Sequence, residues 1–233
     1  PRGLYPEMFR TRPPTIRQFA GEGLVGETNK RFKLILAEGG TGLSAAFDLP
    51  TLMGCDSDDP RSLAQVCWDG TGIDTLADME ELFDGIPIED VSVSMTINGP
   101  AAIIWAMYLA TAERRGISFE KLRGTTQNDI LKEYAAQKEW IVPEDAGLKL
   151  VTDTIEFATV CVPNWYPVSI SGYHIREAGA TAVQEDAFTI ASAKEYARAA
   201  MARGLSIDSF ASKFSFFLDI HNNFFEEIAK IRA

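Results

Sequence analysis

From residue 42 onward the chain alternates between short runs of small and apolar residues and longer runs with helical spacing, and Gly or Pro marks most junctions. The short runs read as strands: Gly42 to Pro50 with its exit loop, Val91 to Ile97, Leu122 to Gln127, Val168 to Ser171 and Phe214 to Leu218. Helices are expected over 29–38, 74–83, 100–115, 128–140, 153–161, 178–203 and 222–232. Strand and helix in strict alternation, joined by short loops, specify parallel strands with right-handed crossovers. About five such units fit, whereas a closed (β/α)8 barrel needs eight strands. The fold class is therefore α/β, read as the front portion of an incomplete (β/α)8 TIM barrel over residues 31–233. An extended arm over residues 1–30 precedes it, and an open five-stranded sheet is the alternative.

One stretch organises the chemistry. Val168-Ser169-Ile170-Ser171 alternates apolar and small polar residues with the period of a strand, and Gly172-Tyr173-His174-Ile175-Arg176-Glu177 follows directly. Ionisable groups between a strand and the next helix are what an α/β enzyme presents at the C-terminal end of its sheet. His174 is one of two histidines. A purely structural imidazole is the plain reading; its setting beside Tyr173 and Glu177 favours a functional one.

Composition removes several classes. A net charge of −11 argues against nucleic acid as the main partner, since phosphate backbones select basic surfaces. The longest apolar run, Ala101 to Ala112, is too short to span a bilayer, so no membrane role is expected. Cys55, Cys67 and Cys161 fit neither a disulfide framework nor a zinc pattern, which suggests free thiols and a cytoplasmic setting. The chain begins at Pro1 without a Met, so a trimmed start or a longer product is expected. The acidic loop from Cys55 to Pro60 lacks the spacing of a calcium loop, and its carboxylates are assigned to caps and turns.

The strand ends carry a ring of hydrogen-bonding groups: Ser44, Phe47 and Asp48; Thr96 and Asn98; Thr125, Gln127 and Asn128; Tyr173, His174 and Glu177; and, around the last strand, Lys213 and His221. There is no Gly-flanked nucleophile, no metal-ligand spacing and no close carboxylate pair. A site that binds and orients without an acid–base pair points to a cofactor-borne reaction. Arg10, Arg12 and Arg17 in the arm offer planar charged donors to an anionic ligand.

The blocks TIRQFAGEG, GLSAAFDLPTLMGCDSDDP, FDGIPIEDVSVSMTINGP, GTTQNDILKEY, SISGYHIREAGA and FFEEIAKIRA resemble the substrate-binding domain of adenosylcobalamin-dependent acyl-CoA mutases, the methylmalonyl-CoA mutase-like family. The likeness covers nearly the whole chain in the same order. It implies a (β/α)8 barrel threaded by coenzyme A. Residue by residue, it implies that Tyr5, Met8, Arg12, Thr15 and Arg17 form the arm that binds acyl-CoA, with the arginines near its phosphates. It implies further acyl-CoA contacts from Ser44, Thr125 and Gln127. His174 would bond the thioester carbonyl with Tyr173 beside it, Phe47 and Leu49 would lie under the corrin ring, and Glu177 would meet the deoxyadenosyl ribose.

The same resemblance bears on substrate. Family members that act on methylmalonyl-CoA carry a Tyr and an Arg where this chain has Phe19 and Gln137, and that Arg pairs with the substrate's free carboxylate. A buried carboxylate without a partner is costly, so the pattern resembles the isobutyryl-CoA branch. The 2-hydroxyisobutyryl-CoA branch carries an aliphatic residue and an Asp where this chain has Phe19 and Ala46. Lys213 stands where an acyl-CoA-binding Arg is usual and cannot reproduce its bidentate fork. The implied reaction is a radical rearrangement of isobutyryl-CoA to butyryl-CoA. Implied partners are the acyl-CoA, a separate small cobalamin-binding subunit, the rest of the barrel or a partner chain, and an oligomeric assembly. The cobalamin-binding domain is expected to lie outside this chain, and the chain alone is expected to be inactive. Methylmalonyl-CoA or another branched acyl-CoA such as pivalyl-CoA is the alternative substrate; a truncated, non-catalytic acyl-CoA-binding or interaction module is the alternative class.

Overall fold

The computed structural model describes residues 6–10 and 13–233, the side chain of Met8 excepted. Tyr5, Arg12 and the Met8 side chain, assigned to the acyl-CoA arm, lie outside the described residues.

The first difference from expectation lies in the arm. Arg17–Ala20 is a strand, β1, and pairs in parallel with β2, Gly42–Ala45. Pro13-Pro14 keeps the preceding residues extended, which suits an arm and a strand entry equally. The helix between them, α1, runs Val25–Ala37 and starts earlier than its apolar spacing suggested. The sheet continues through β3, Ser92–Met95, β4, Arg123–Thr126, and β5, Trp165–Tyr166, all parallel. Pro167 then interrupts the ladder because it has no N–H to donate. The strand resumes as β6, Val168–Ser171, which pairs in parallel with β7, Phe214–Phe217. The Ser169 N–H still reaches Gln127 O beyond β4, at 2.8 Å. β5 and β6 therefore act as one stave, and the five-stranded and two-stranded sheets join into six parallel staves of a barrel. Among the described residues, β1 and β7 pair on one side only.

The helices lie on the outer face. α2, Leu49–Leu52, and α3, Leu76–Leu82, start on the caps Asp48 and Thr75. α4 runs Ala101–Arg114. α5, Ile130–Lys132, passes into a π turn over Glu133–Gln137 and stops at Lys138 in the left-handed region, so the helix expected to reach residue 140 is shorter. α6, Glu144–Cys161, is longer than expected. α7, Tyr173–Glu177, places His174 in a short helix instead of a loop, and α8, Ala182–Ala202, follows on its own Thr181 cap. α9, Ile207–Phe210, leads to β7, and α10, Phe224–Arg232, follows it.

Alternation decides the two faces of the staves. Leu43, Ala45, Val93 and Met95 point outward into the core with Phe32, Phe83 and Tyr108 from the helices. Val168 and Ile170 do the same against Ile155, Tyr196 and Phe210. Each large apolar side chain buried this way contributes about 1.5–3 kcal/mol. The opposite, inner face carries the site. Of the carboxylates in the acidic loop, Asp59 acts as read and caps the turn Pro60–Ser62.

Candidate functional site

The inner face is built from small hydroxyls. One register row runs Phe19, Ser44, Ser94, Thr125 and Tyr166, and the row below it runs Arg17, Gly42, Ser92 and Arg123. Ser169 faces Ser215 across β6 and β7. A closed barrel usually fills this space with branched apolar side chains. Here Gly, Ser and Thr stand in that place on the middle staves, a groove of small side chains between Phe19 and Tyr166.

At the N-terminal end of the strands the groove widens into a cleft of about 540 Å³, lined by Thr15, Arg17, Arg123, Thr125, Tyr166 and Lys213 among others. Every charged residue in that lining is a cation, in a chain of net charge −11. Arg17 donates to Ser92 Oγ at 2.6 Å, while its Nε is buried without a partner. Arg123 donates to Asp90 O at 2.6 Å. Lys213 Nζ stands 5.3 Å over the Tyr166 ring, a cation–π placement. Thr125 Oγ1 donates to Tyr166 O at 2.9 Å. The structure thus gathers Thr15, Arg17, Thr125 and Lys213 in one cleft. Arg123 is the residue the sequence reading missed; its register with Arg17 is the signal.

At the C-terminal end, polar side chains lock the strand ends together. Asn98 Nδ2 donates to Gln127 Oε1 at 2.8 Å, and Asn98 Oδ1 accepts from the Asp129 N–H at 3.0 Å. Buried Asp129 accepts from the Ser171 N–H at 2.7 Å and the Tyr196 hydroxyl at 2.5 Å. Burial pushes the Asp129 carboxyl pKa upward, against the pull of these donors. Gln127 is therefore a buried strut, and Ser44 is likewise buried. Gly172 carries the chain from β6 into α7. A Cβ there would stand 2.6 Å from Thr189 Oγ1 and 2.7 Å from Glu185 Cγ, so only Gly lets α7 seat this closely against α8.

His174 results from that seating. Its Nδ1 is buried without a hydrogen-bond partner. Burial, with the Lys132 charge nearby, lowers its pKa to about 3, so the imidazole is neutral near pH 7. Tyr173 stacks on Phe217 with centroids 4.9 Å apart, and His174 meets the same ring edge-on at 5.9 Å. The π turn packs against α7. There Lys132 Nζ, fully buried, pairs with Glu133 and donates to Gln137 Oε1. Gln137 Nε2 donates to Glu139 Oε2 at 2.7 Å. Burial pulls the Lys132 pKa down and pushes that of Glu133 up, each opposed by its partner.

Phe19 belongs to a second group. With Ala46 and Trp68 it lines a cleft of about 760 Å³. Phe47 is only 3% exposed and packs in the main core, so its ring is not presented to the open face. Leu49 is half-buried at the start of α2. Glu177 is exposed, with Oε1 3.9 Å from His221 Nε2, and that nitrogen lies 2.8 Å from Asp219 Oδ2. These three are the one set of His, Cys, Asp and Glu among the described residues whose ligand atoms converge, within 4.8 Å of one another. Asp219 and His221 had drawn no role from sequence as a pair with Glu177, because they come from the next stave.

The class defined here is a parallel α/β barrel portion, with a cleft of cations at the N-terminal end of its staves and a half-buried, neutral imidazole at the other end. The chain belongs to the methylmalonyl-CoA mutase family, whose pattern matches residues 1–233. It is 50% identical over 232 residues to the 2-hydroxyisobutanoyl-CoA mutase large subunit of Aquincola tertiaricarbonis, covering 100% of this chain and 41% of that protein. It is 47% identical over 232 residues to the methylmalonyl-CoA mutase large subunit of Streptomyces virginiae and 48% identical to the human mitochondrial methylmalonyl-CoA mutase, covering all of this chain and 32% and 31% of those proteins. The chain thus spans less than half the length of these relatives. Among the described residues, no helix is long and apolar enough to cross a membrane.

Proposed function

We propose that this chain is the substrate-binding portion of the large subunit of an adenosylcobalamin-dependent acyl-CoA mutase that interconverts isobutyryl-CoA and butyryl-CoA. The observation that carries the reading is the cation-only cleft at one end of a hydroxyl-lined groove. Phosphates held among Arg17, Arg123 and Lys213 leave a thin thioester arm to run along the half-buried Ser94 and Thr125. A four-residue strand is about 13 Å long, which brings that arm toward the rim where His174 sits. Arg17 Nε, a buried donor without an acceptor, suits a phosphate oxygen.

His174 donates a hydrogen bond to the thioester carbonyl from a neutral ring, which polarises and orients the carbonyl without adding a charge. Tyr173, braced by Phe217, closes the wall beside it. The acyl tail carries no anion. Phe19 supplies a ring without a hydroxyl, and the one buried cation near Gln137, Lys132, is already matched by Glu133. A substrate carboxylate would find no free partner there. Ala46 beside Phe19 offers nothing to a substrate hydroxyl.

The rim residues fit adenosylcobalamin: Glu177 offers an exposed carboxylate, Asp219 a buried oxygen with no donor, and Tyr173 an aromatic face. When bound, the cofactor supplies a carbon radical able to take hydrogen from an unactivated methyl group. Half-buried Leu49 is the side chain of this loop able to meet the corrin, with buried Ala46 and Phe47 supporting it from behind. A cobalamin-binding subunit holds the cofactor, and further barrel staves or a partner chain cover the unpaired edges of β1 and β7 and the exposed Phe216, Phe224 and Phe225, since open strand edges invite pairing. An oligomer follows, and this chain alone is inactive. Three free thiols suit a reducing compartment such as the cytoplasm.

The test is turnover by the full-length large subunit with its cobalamin-binding partner and adenosylcobalamin. Isobutyryl-CoA should be converted in preference to methylmalonyl-CoA. The reverse preference rejects the substrate assignment, and CoA binding without turnover of either rejects the catalytic one.

A further inference from the structure

We infer that Asp219 and His221, from the stave after His174, join Glu177 to form the receptor for the vicinal hydroxyls of the cofactor's ribose. This rests on the reading that places the adenosyl group against Glu177, and extends it to two residues with no assigned role.

The argument starts from an unmet need. Asp219 is 8% exposed, and its Oδ2 is buried with no hydrogen-bond donor aligned to it. His221 Nε2 lies 2.8 Å away but outside hydrogen-bond alignment, so it pairs with this oxygen by charge alone and only with a protonated ring. Glu177 Oε1 closes the set at 3.9 Å from the same nitrogen. A buried carboxylate oxygen without a donor is destabilising, so its retention calls for a donor from outside.

The position is also built. Asp219 N donates to Glu185 Oε1 at 2.7 Å, its carbonyl accepts from Lys230 Nζ, and its Oδ1 accepts from the Ile220 N–H at 2.8 Å. Lys230 is itself held by Glu185 and Glu227 at 3.0 and 2.7 Å. Two elements, α8 and α10, thus fix the backbone of Asp219, and its Oδ2 is left without a hydrogen-bond donor. A vicinal diol brings two O–H donors and two acceptor oxygens at fixed spacing. Two carboxylates accept from the hydroxyls, and the imidazole donates or accepts a hydrogen bond at the third position. Asp219 and Glu177 come from different staves, so a diol bridging them would also tie the β6 and β7 ends together.

The experiment uses the full-length protein with its cobalamin-binding partner. Dissociation constants are measured spectroscopically for adenosylcobalamin, for its analogues lacking the ribose 2′- or 3′-hydroxyl, and for hydroxocobalamin, which has no ribose at that face. The wild type should prefer adenosylcobalamin over at least one deoxy analogue by about tenfold, the size of one hydrogen bond to a charged group. Asp219→Asn and His221→Ala should each shrink that preference to below about threefold while hydroxocobalamin binds unchanged. If only Glu177→Gln shrinks it, the adenosyl placement stands and this inference falls. If no variant and no analogue matters, both fall. A stoichiometric zinc or manganese ion held by the wild type and lost in Asp219→Asn would overturn it as well, by giving the same groups to a metal.

Discussion

The rings of Tyr173 and Phe217 lie 4.9 Å apart and 15° from parallel, one at the start of α7 and the other at the end of β7. The pair joins two neighbouring staves at the rim where His174 is held. Offset aromatic pairs contribute about 0.5–1.5 kcal/mol beyond area burial. Phe217→Ala should therefore lower the unfolding free energy of the full-length protein by about 1–2 kcal/mol and reduce turnover more than substrate affinity, since the loss falls on orientation. Equal turnover with the lowered stability would remove Tyr173 from the orienting wall.

His174 makes stability depend on pH with a definite sign. Burial, then the Lys132 charge, holds its folded-state pKa at about 3, below the roughly 6.5 of a free imidazole. Between those values the unfolded chain binds a proton that the folded chain refuses. Its stabilising contribution is complete above about pH 6.5 and declines as pH falls toward about 3. Denaturant midpoints measured down that range should fall more steeply for the wild type than for His174→Gln. Parallel curves would mean that the ring is solvated.

The pair Lys230 and Glu185 is a structural test of the rim. Their side chains are 1% and 0% exposed and 3.0 Å apart. Lys230→Met leaves the Glu185 carboxylate buried with one cation fewer, which should cost about 3–5 kcal/mol in urea unfolding. The double change Lys230→Met, Glu185→Met should recover part of that loss in stability, the rest remaining because Glu227 also loses its lysine, while still weakening the Asp219 loop, whose N–H and carbonyl both depend on the pair. A double variant as unstable as the single one would show that backbone support of Asp219, and not charge pairing, is the larger effect.

Much of this architecture was legible in the sequence, for identifiable reasons. The alternation in Val91-Ser92-Val93-Ser94-Met95 encodes both faces at once: apolar side chains toward the helices, hydroxyls toward the axis. The same period in Val168 to Ser171 located the rim. β1 was not legible, because Arg17–Ala20 has its inner face open and its middle residues exposed, so burial leaves no period-two pattern. The π turn was hidden too, since Glu133–Gln137 differs from an α-helix only in which carbonyl each N–H finds. Arg123 gained its meaning from register with Arg17, and Asp219 from a loop pinned by α8 and α10. Such relations are tertiary and leave no local mark.

The width of the groove offers a test that leaves the core untouched. Ser94 lies on the inner face between Ser44 and Thr125 and is half-buried. Ser94→Leu restores the bulk that an ordinary barrel keeps there. Stability should hold or rise slightly, while affinity for acyl-CoA falls by at least about tenfold, read by calorimetry with the full-length protein. Unchanged affinity would route the ligand elsewhere.

The substrate assignment turns on Phe19 and Gln137, which the structure places in separate groups: Phe19 with Ala46 and Trp68 in one cleft, Gln137 between Lys132 and Glu139 beside α7. Gln137→Arg alone brings a guanidinium against the Lys132 ammonium, with Glu133 and Glu139 to share between them. It should destabilise the protein by roughly 1 kcal/mol while creating the missing cation. Phe19→Tyr adds the hydroxyl from the other side. The double variant should raise the ratio of kcat/KM for methylmalonyl-CoA over isobutyryl-CoA by at least about tenfold, the discrimination expected from one charge-assisted pair, and the single variants by less. An unmoved ratio in a folded, cofactor-binding double variant would mean that these two side chains do not touch the acyl tail, and the preference for an uncharged substrate would have to be sought in the staves that follow β7.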